Sequence, residues 1–105
     1  MGNFPKWLRM RVGKKRGWKC EYPGCNRSFK DGFLLEFHHK IATSMGGEDT
    51  EENCQILCIY HHLKVHEKMA RDGTGHPDSP RLIRARLRAT GGRTREWIRK
   101  NGGAK

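Results

Sequence analysis

Apolar positions along this 105-residue chain come in short, separated groups. Leu34, Leu35 and Phe37, with Glu36 and His38 alternating among them, predict a strand over 34–38. Cys54, Ile56 and Leu57 predict a second strand over 53–57. From Ile59 to Arg71 the residues favour a helix, ended by Asp72-Gly73. Residues 81–90 suit another helix, with Leu82, Ile83 and Leu87 on one side and Arg81, Arg84 and Arg88 on another. Gly91-Gly92 breaks it, and a last short helix over 93–100 offers Trp97 and Ile98 for packing. Between these elements lie a Cys pair around a Pro23-Gly24 turn in 20–33 and a small, polar loop over 42–52. A linker over 72–80 carries Gly73, Gly75, Pro77 and Pro80. No internal repeat is visible.

Composition narrows the picture. Hydrophobic residues make up 34% of the chain, which leaves a marginal core that a structural metal would strengthen. The formal net charge of +11 favours a polyanionic partner, nucleic acid above all, over a merely solvated basic surface. Residues 1–19 hold Lys6, Arg9, Arg11, Lys14, Lys15, Arg16 and Lys19 and no acid. They read as a partly disordered arm that orders on a phosphate backbone, dispensable to the rest of the fold. The acids cluster instead in 48–52. No apolar run has the length of a membrane span and the N-terminus has no signal-type stretch. The expectation is a protein of the cytoplasm with no membrane partner. Four cysteines then read as metal ligands rather than disulfides.

Two constellations carry chemistry. In the first, Cys20 and Cys25 flank a tight turn, and Cys58 and His61 stand at the start of the predicted helix. Zinc takes four tetrahedral thiolate or imidazole ligands, and short turns deliver them in pairs. Cys54 competes for the fourth place, although strand alternation could equally bury it as a small hydrophobe. In the second, His38-His39 ends the first strand, while His62 and His66, four apart, share one helix face. Imidazoles from a helix and a strand end, set opposite each other, can hold a divalent ion with positions left open. Five of the six histidines fall between 38 and 66. Glu36, on the opposite strand face from Phe37, could brace the site, but reads rather as a surface carboxylate.

The run Leu35-Glu36-Phe37-His38-His39-Lys40-Ile41, then Gly46-Gly47, then Glu52-Asn53, then Leu57-Cys58-Ile59-Tyr60-His61-His62-Leu63-Lys64, resembles the HNH nuclease motif. The resemblance covers about residues 18–68. It implies a small α+β protein with the ββα-metal fold, stapled by a structural zinc and flanked by basic helices. It implies His39 as the general base and His38 as a metal ligand, in a place often held by Asp. Asn53 would brace the loop and so orient the base, His62 would be the helical metal ligand, and His66 matches a further helical His seen in the nuclease domains of bacterial toxins. His61 stands where a fourth Cys is usual, and the first Cys pair is wider than Cys-x-x-Cys.

The combined expectation is a metal-dependent DNA endonuclease with four segments: a basic arm (1–17), the HNH domain (18–72), a linker (73–80) and a basic helical extension (81–105). Its catalytic residues would be His39, Asn53 and His62. His38, His62 and His66 would hold the catalytic ion, Mg²⁺, Mn²⁺, Ni²⁺ or Zn²⁺. Cys20, Cys25, Cys58 and His61 would hold the structural Zn²⁺. Lys14, Lys15, Arg16, Lys40, Lys64, Arg81, Arg84 and Arg88 would contact DNA phosphates. Two alternatives remain: a non-catalytic zinc-binding nucleic-acid module, and an accessory subunit working with phage or host DNA-processing proteins in a bacterial or phage-infected cell.

Overall fold

A computed structural model of the chain describes residues 3–102. In chain order its elements are α1 (Lys6–Arg16), β1 (Leu35–His39), a 3₁₀ turn (Thr43–Met45), β2 (Cys54–Cys58), α2 (Ile59–Asp72), α3 (Ser79–Thr90) and α4 (Arg95–Asn101). The fold is the small α+β arrangement expected: β1 and β2 form a two-stranded antiparallel sheet, and α2 follows β2 directly. The register pairs Leu35 with Cys58, Phe37 with Ile56 and His39 with Cys54. Strands and the three C-terminal helices fall within about two residues of their predicted places, as boundary placement allows.

The basic N-terminal segment departs from expectation. It is not an arm but a helix, α1, and it belongs to the core. Leu8 and Val12, four apart, line one side of the helix, Phe4 lies just ahead of it, and all three are buried. They pack with Cys54 and Ile56 of β2, and Leu35 and Phe37 of β1 close the cluster. Burying side chains of this size contributes roughly 1.5–3 kcal/mol each, more than a detachable arm could carry. Gly13 lets α1 pass under Trp18, since a Cβ there would lie 2.4 Å from the indole ring. Arg16 anchors the helix end. Its guanidinium donates to the carbonyls of Cys54 (2.7 Å) and Glu51 (2.8 Å) and meets the Glu21 carboxylate at 3.2 Å. Arg16 is therefore committed to the fold rather than offered to phosphate.

The second cluster gathers Cys20, Leu57 and Cys58, with Tyr22, Cys25, Tyr60 and Val65 packed around them. Cys54 sits in the other cluster, fully buried against α1 as a small hydrophobe, outside the group formed by Cys20, Cys25, Cys58 and His61. The C-terminal extension is docked rather than loose. Helix α3 lies on α2, with Ile83 buried. Ahead of α4, the Arg93 guanidinium lies 4.1 Å from the Phe33 ring and 3.9 Å from the Trp97 ring. Thr94 caps α4 by accepting from the Trp97 backbone N–H. Among the described residues no helix is long and apolar enough to cross a membrane.

Candidate functional site

Strand alternation sorts the two adjacent histidines. His38 turns toward α2, where it meets His62 and His66. The three ring centroids lie 4.7–5.3 Å apart, and each residue offers a nitrogen within 4.8 Å of the others. Two ring nitrogens of this group, His38 Nδ1 and His66 Nδ1, are buried with no hydrogen-bond partner. Buried polar atoms without partners are costly, and a bound cation is one way to meet that cost. Burial, with the neighbouring imidazoles His62, His66 and His39, holds the His38 pKa down at about 3. Burial and the nearby His62 hold His66 at about 4, despite the opposing pull of Glu36. Both rings are therefore neutral near pH 7, the form that ligates metal.

The third ring is fixed by a residue that the sequence favoured as a surface carboxylate over a brace for the site. Glu36, two positions before His38 and so on the same strand face, lies 2.7 Å from His62 Nδ1. Burial pushes the Glu36 carboxyl up. Hydrogen bonds from His62 and Arg86 outweigh that and bring it to about 2. An ionised carboxylate only accepts, so His62 must carry its proton on Nδ1, which leaves the Nε2 lone pair free. Hydrogen bonding of this kind fixes the orientation of a metal-ligating imidazole and raises its basicity. Glu36 is thus part of the centre and not a surface carboxylate. The signal was present in the period of two that links it to His38.

His39 turns the other way. Its ring stacks on Phe4, with centroids 3.7 Å apart and planes at 9°, and its Nε2 lies 2.8 Å from Asp49 Oδ1. Neither partner was foreseen. Asn53 does brace the loop, but it does not touch this ring: its side chain accepts from the Ile41 N–H and donates to the carbonyls of Ile41 and Glu48. Gly47 completes the loop, because a Cβ there would fall 1.8 Å from the Ile41 carbonyl oxygen.

Cys20, Cys25, Cys58 and His61 converge on the second centre. Cys58 Sγ lies 3.4 Å and Cys20 Sγ 3.7 Å from His61 Nδ1, and Cys25 Sγ lies 4.0 Å from Cys58 Sγ. A tetrahedral ion with bonds of about 2.0–2.3 Å needs ligand separations of roughly 3.5–3.8 Å, so the four fit a metal. Burial lifts the Cys20 thiol to about 12, although backbone N–H groups at Cys58 and Tyr22 oppose it. Burial also pushes Cys25 up, but the Arg27 backbone N–H, the two neighbouring cysteines and the Arg27 charge carry it below its ordinary value. Tyr22 stacks on His61 at 4.1 Å and 2°. Arg27 Nη1 lies 3.6 Å from Cys58 Sγ.

Of the basic residues expected to meet DNA, Lys14, Lys40, Lys64, Arg81 and Arg88 are exposed. Lys15 is also exposed but pairs with Glu51 at 2.9 Å, and Arg84 pairs with Glu67 at 2.8 Å.

A strand pair and helix enclosing three imidazoles, with a Cys₃His cluster beside them, define a small metal-binding nuclease-like domain. Residues 20–68, just under half of the chain, match the HNH endonuclease family. A stretch of 50 residues, 45% of the chain, is 46% identical to the "Type IV methyl-directed restriction enzyme EcoKMcrA" of Escherichia coli (strain K12). The match spans 18% of that protein's length. No solved structure matches the chain.

Proposed function

We propose that the chain is a metal-dependent DNA endonuclease, working through one divalent ion and a histidine general base. The observation that carries this is the division of labour on β1. His38 joins the buried His62–His66 pair, while its neighbour His39 is held on the other side by Phe4 and Asp49. His38, His62 and His66 would hold a divalent ion, which when bound would supply Lewis-acid polarisation of a phosphodiester oxygen and stabilise the departing oxygen.

The remaining work falls to side chains. His39 takes the proton of the attacking water. With Nε2–H donating to Asp49, the neutral ring carries its basic lone pair on Nδ1. Phe4 and Asp49 keep the ring from turning, and Asn53 keeps the loop that bears Asp49 in shape. Lys14, Lys40, Lys64, Arg81 and Arg88 grip phosphates, which positions the duplex without reading its sequence. Cys20, Cys25, Cys58 and His61 would hold zinc, which would staple the turn at 20–25 to the start of α2. DNA as substrate accords with the net charge of +11 and with the restriction-enzyme relative. The cytoplasm of a bacterial or phage-infected cell is the setting we assign.

Nicking of supercoiled plasmid tests the reading. Chelator-treated protein with its structural zinc retained should be inactive, and added Mg²⁺, Mn²⁺ or Ni²⁺ should restore nicking. His62→Ala should nick no faster than the metal-free protein. Equal nicking with and without metal, or an active His62→Ala, would reject the proposal.

A further inference from the structure

Helix α3 carries four arginines, Arg81, Arg84, Arg86 and Arg88, and one of them behaves unlike the rest. Arg86 reaches across to β1, where its Nε donates to Glu36 Oε2 at 2.9 Å and its Nη2 to Glu36 Oε1 at 2.8 Å. The pairing is two-pronged, a geometry that fixes a carboxylate in plane as well as neutralising it. The same Oε1 accepts from His62 Nδ1 at 2.7 Å. Glu36 is only 17% exposed, so this is not a loose surface ion pair. The chain of contacts runs from α3, through a partly buried carboxylate, to a ring of the histidine centre.

We propose that Arg86 is a positioning residue for the metal centre. It holds the Glu36 carboxylate in the orientation that presents His62 Nε2 to the ion, and so makes α3 a working part of the nuclease rather than only a basic flank. This rests on the reading of His38, His62 and His66 as the ion's ligands. The physical reason is the geometry of the shared oxygen. A carboxylate held by one partner alone can rotate about its side chain, and His62 would rotate with it. Held by the guanidinium fork as well, the carboxylate plane is set. A lysine, with a compact ammonium and no fork, can neutralise Glu36 without fixing that plane. Arg84, by contrast, pairs with Glu67, a side chain outside the cluster of three imidazoles.

The test is calorimetric titration of Ni²⁺ into zinc-loaded full-length protein, so that the readout is affinity and not cleavage. Arg86→Gln should weaken Ni²⁺ binding roughly tenfold, the lower end of what loss of a ligand-orienting partner costs. Arg86→Lys should recover only part of the loss. Glu36→Gln should weaken binding at least as much, and adding Arg86→Gln to it should change little further, since Arg86 acts through Glu36. Glu67→Gln, which breaks the neighbouring α3–α2 ion pair, should leave Ni²⁺ affinity as in the parent and so separates positioning from general loosening of α3. Unchanged affinity in Arg86→Gln, or independent, additive losses in the double variant, would overturn the proposal while leaving the metal centre intact. Failure of the parent protein to bind Ni²⁺, or undiminished binding in His62→Ala, would instead remove the reading on which it rests.

Discussion

His38 and His39 are neighbours in sequence, yet they share no environment, and the reason is the period of a strand. His38 is sealed among imidazoles with its pKa near 3, while His39 lies under Phe4 with Asp49 at its edge. Glu36, on the His38 face, is held at about 2. These shifts carry a sign for stability. An imidazole ordinarily near 6.5 that drops to about 3 (His38) or about 4 (His66) cannot take up its proton in the folded state, whereas the unfolded chain can. Stability is then complete above about pH 6.5 and declines as pH falls through the gap. Glu36 acts in the same direction at lower pH: its contribution is present above its ordinary value of 4.5 and is lost as pH falls toward 2. In the absence of added divalent metal, the urea midpoint should fall steadily from pH 6.5 to pH 4, and more gently in His38→Gln. A midpoint flat over that range in the parent protein would contradict the burial argument.

Helices and strands were legible where the apolar spacing was unambiguous, and illegible where charge masked it. Both strands and the helix α2 follow from Leu35, Phe37, Cys54, Ile56 and Leu57 and from the stop at Gly73. Helix α1 was missed because Lys6, Arg9, Arg11, Lys14, Lys15 and Arg16 crowd the two apolar residues it buries, Leu8 and Val12, and composition outweighed spacing. Within the site, both His sets and the Cys set could be named from spacing. Asp49 could not, because it is one of four acids in a loop whose shape depends on Asn53 and Gly47. Arg86 could not either, since the angle at which α3 docks decides which of its four arginines faces β1. The corrected role of α1 has a consequence. Removing residues 1–15 should leave no cooperatively folded domain, where an arm would have been dispensable. The milder Leu8→Ala should lower unfolding free energy by about 2–5 kcal/mol, the usual cost of such a cavity, measured by urea denaturation. A truncated chain with a native-like unfolding transition would restore the arm.

Across the whole molecule, the excess of positive charge is spent in two ways. Part of it is structural: Arg16 on Glu21, Arg84 on Glu67 and Arg86 on Glu36 tie elements together. Another part, Lys14, Lys40, Lys64, Arg81 and Arg88, stays exposed and outside the ion pairs found among the described residues, where a phosphate backbone would release counterions from it. Between them sits the ββα unit with its two clusters of metal-type ligands. The account stands on one assignment, that β1 sends one histidine to the ion and its neighbour to the water. Single-turnover nicking of plasmid by metal-saturated His39→Ala, with metal binding verified in the same sample, tests it most directly. The account predicts a loss of roughly a hundredfold or more in rate, with metal and DNA affinity close to those of the parent. Full cleavage by His39→Ala, or loss of the ion there while His38→Ala keeps it, would contradict it.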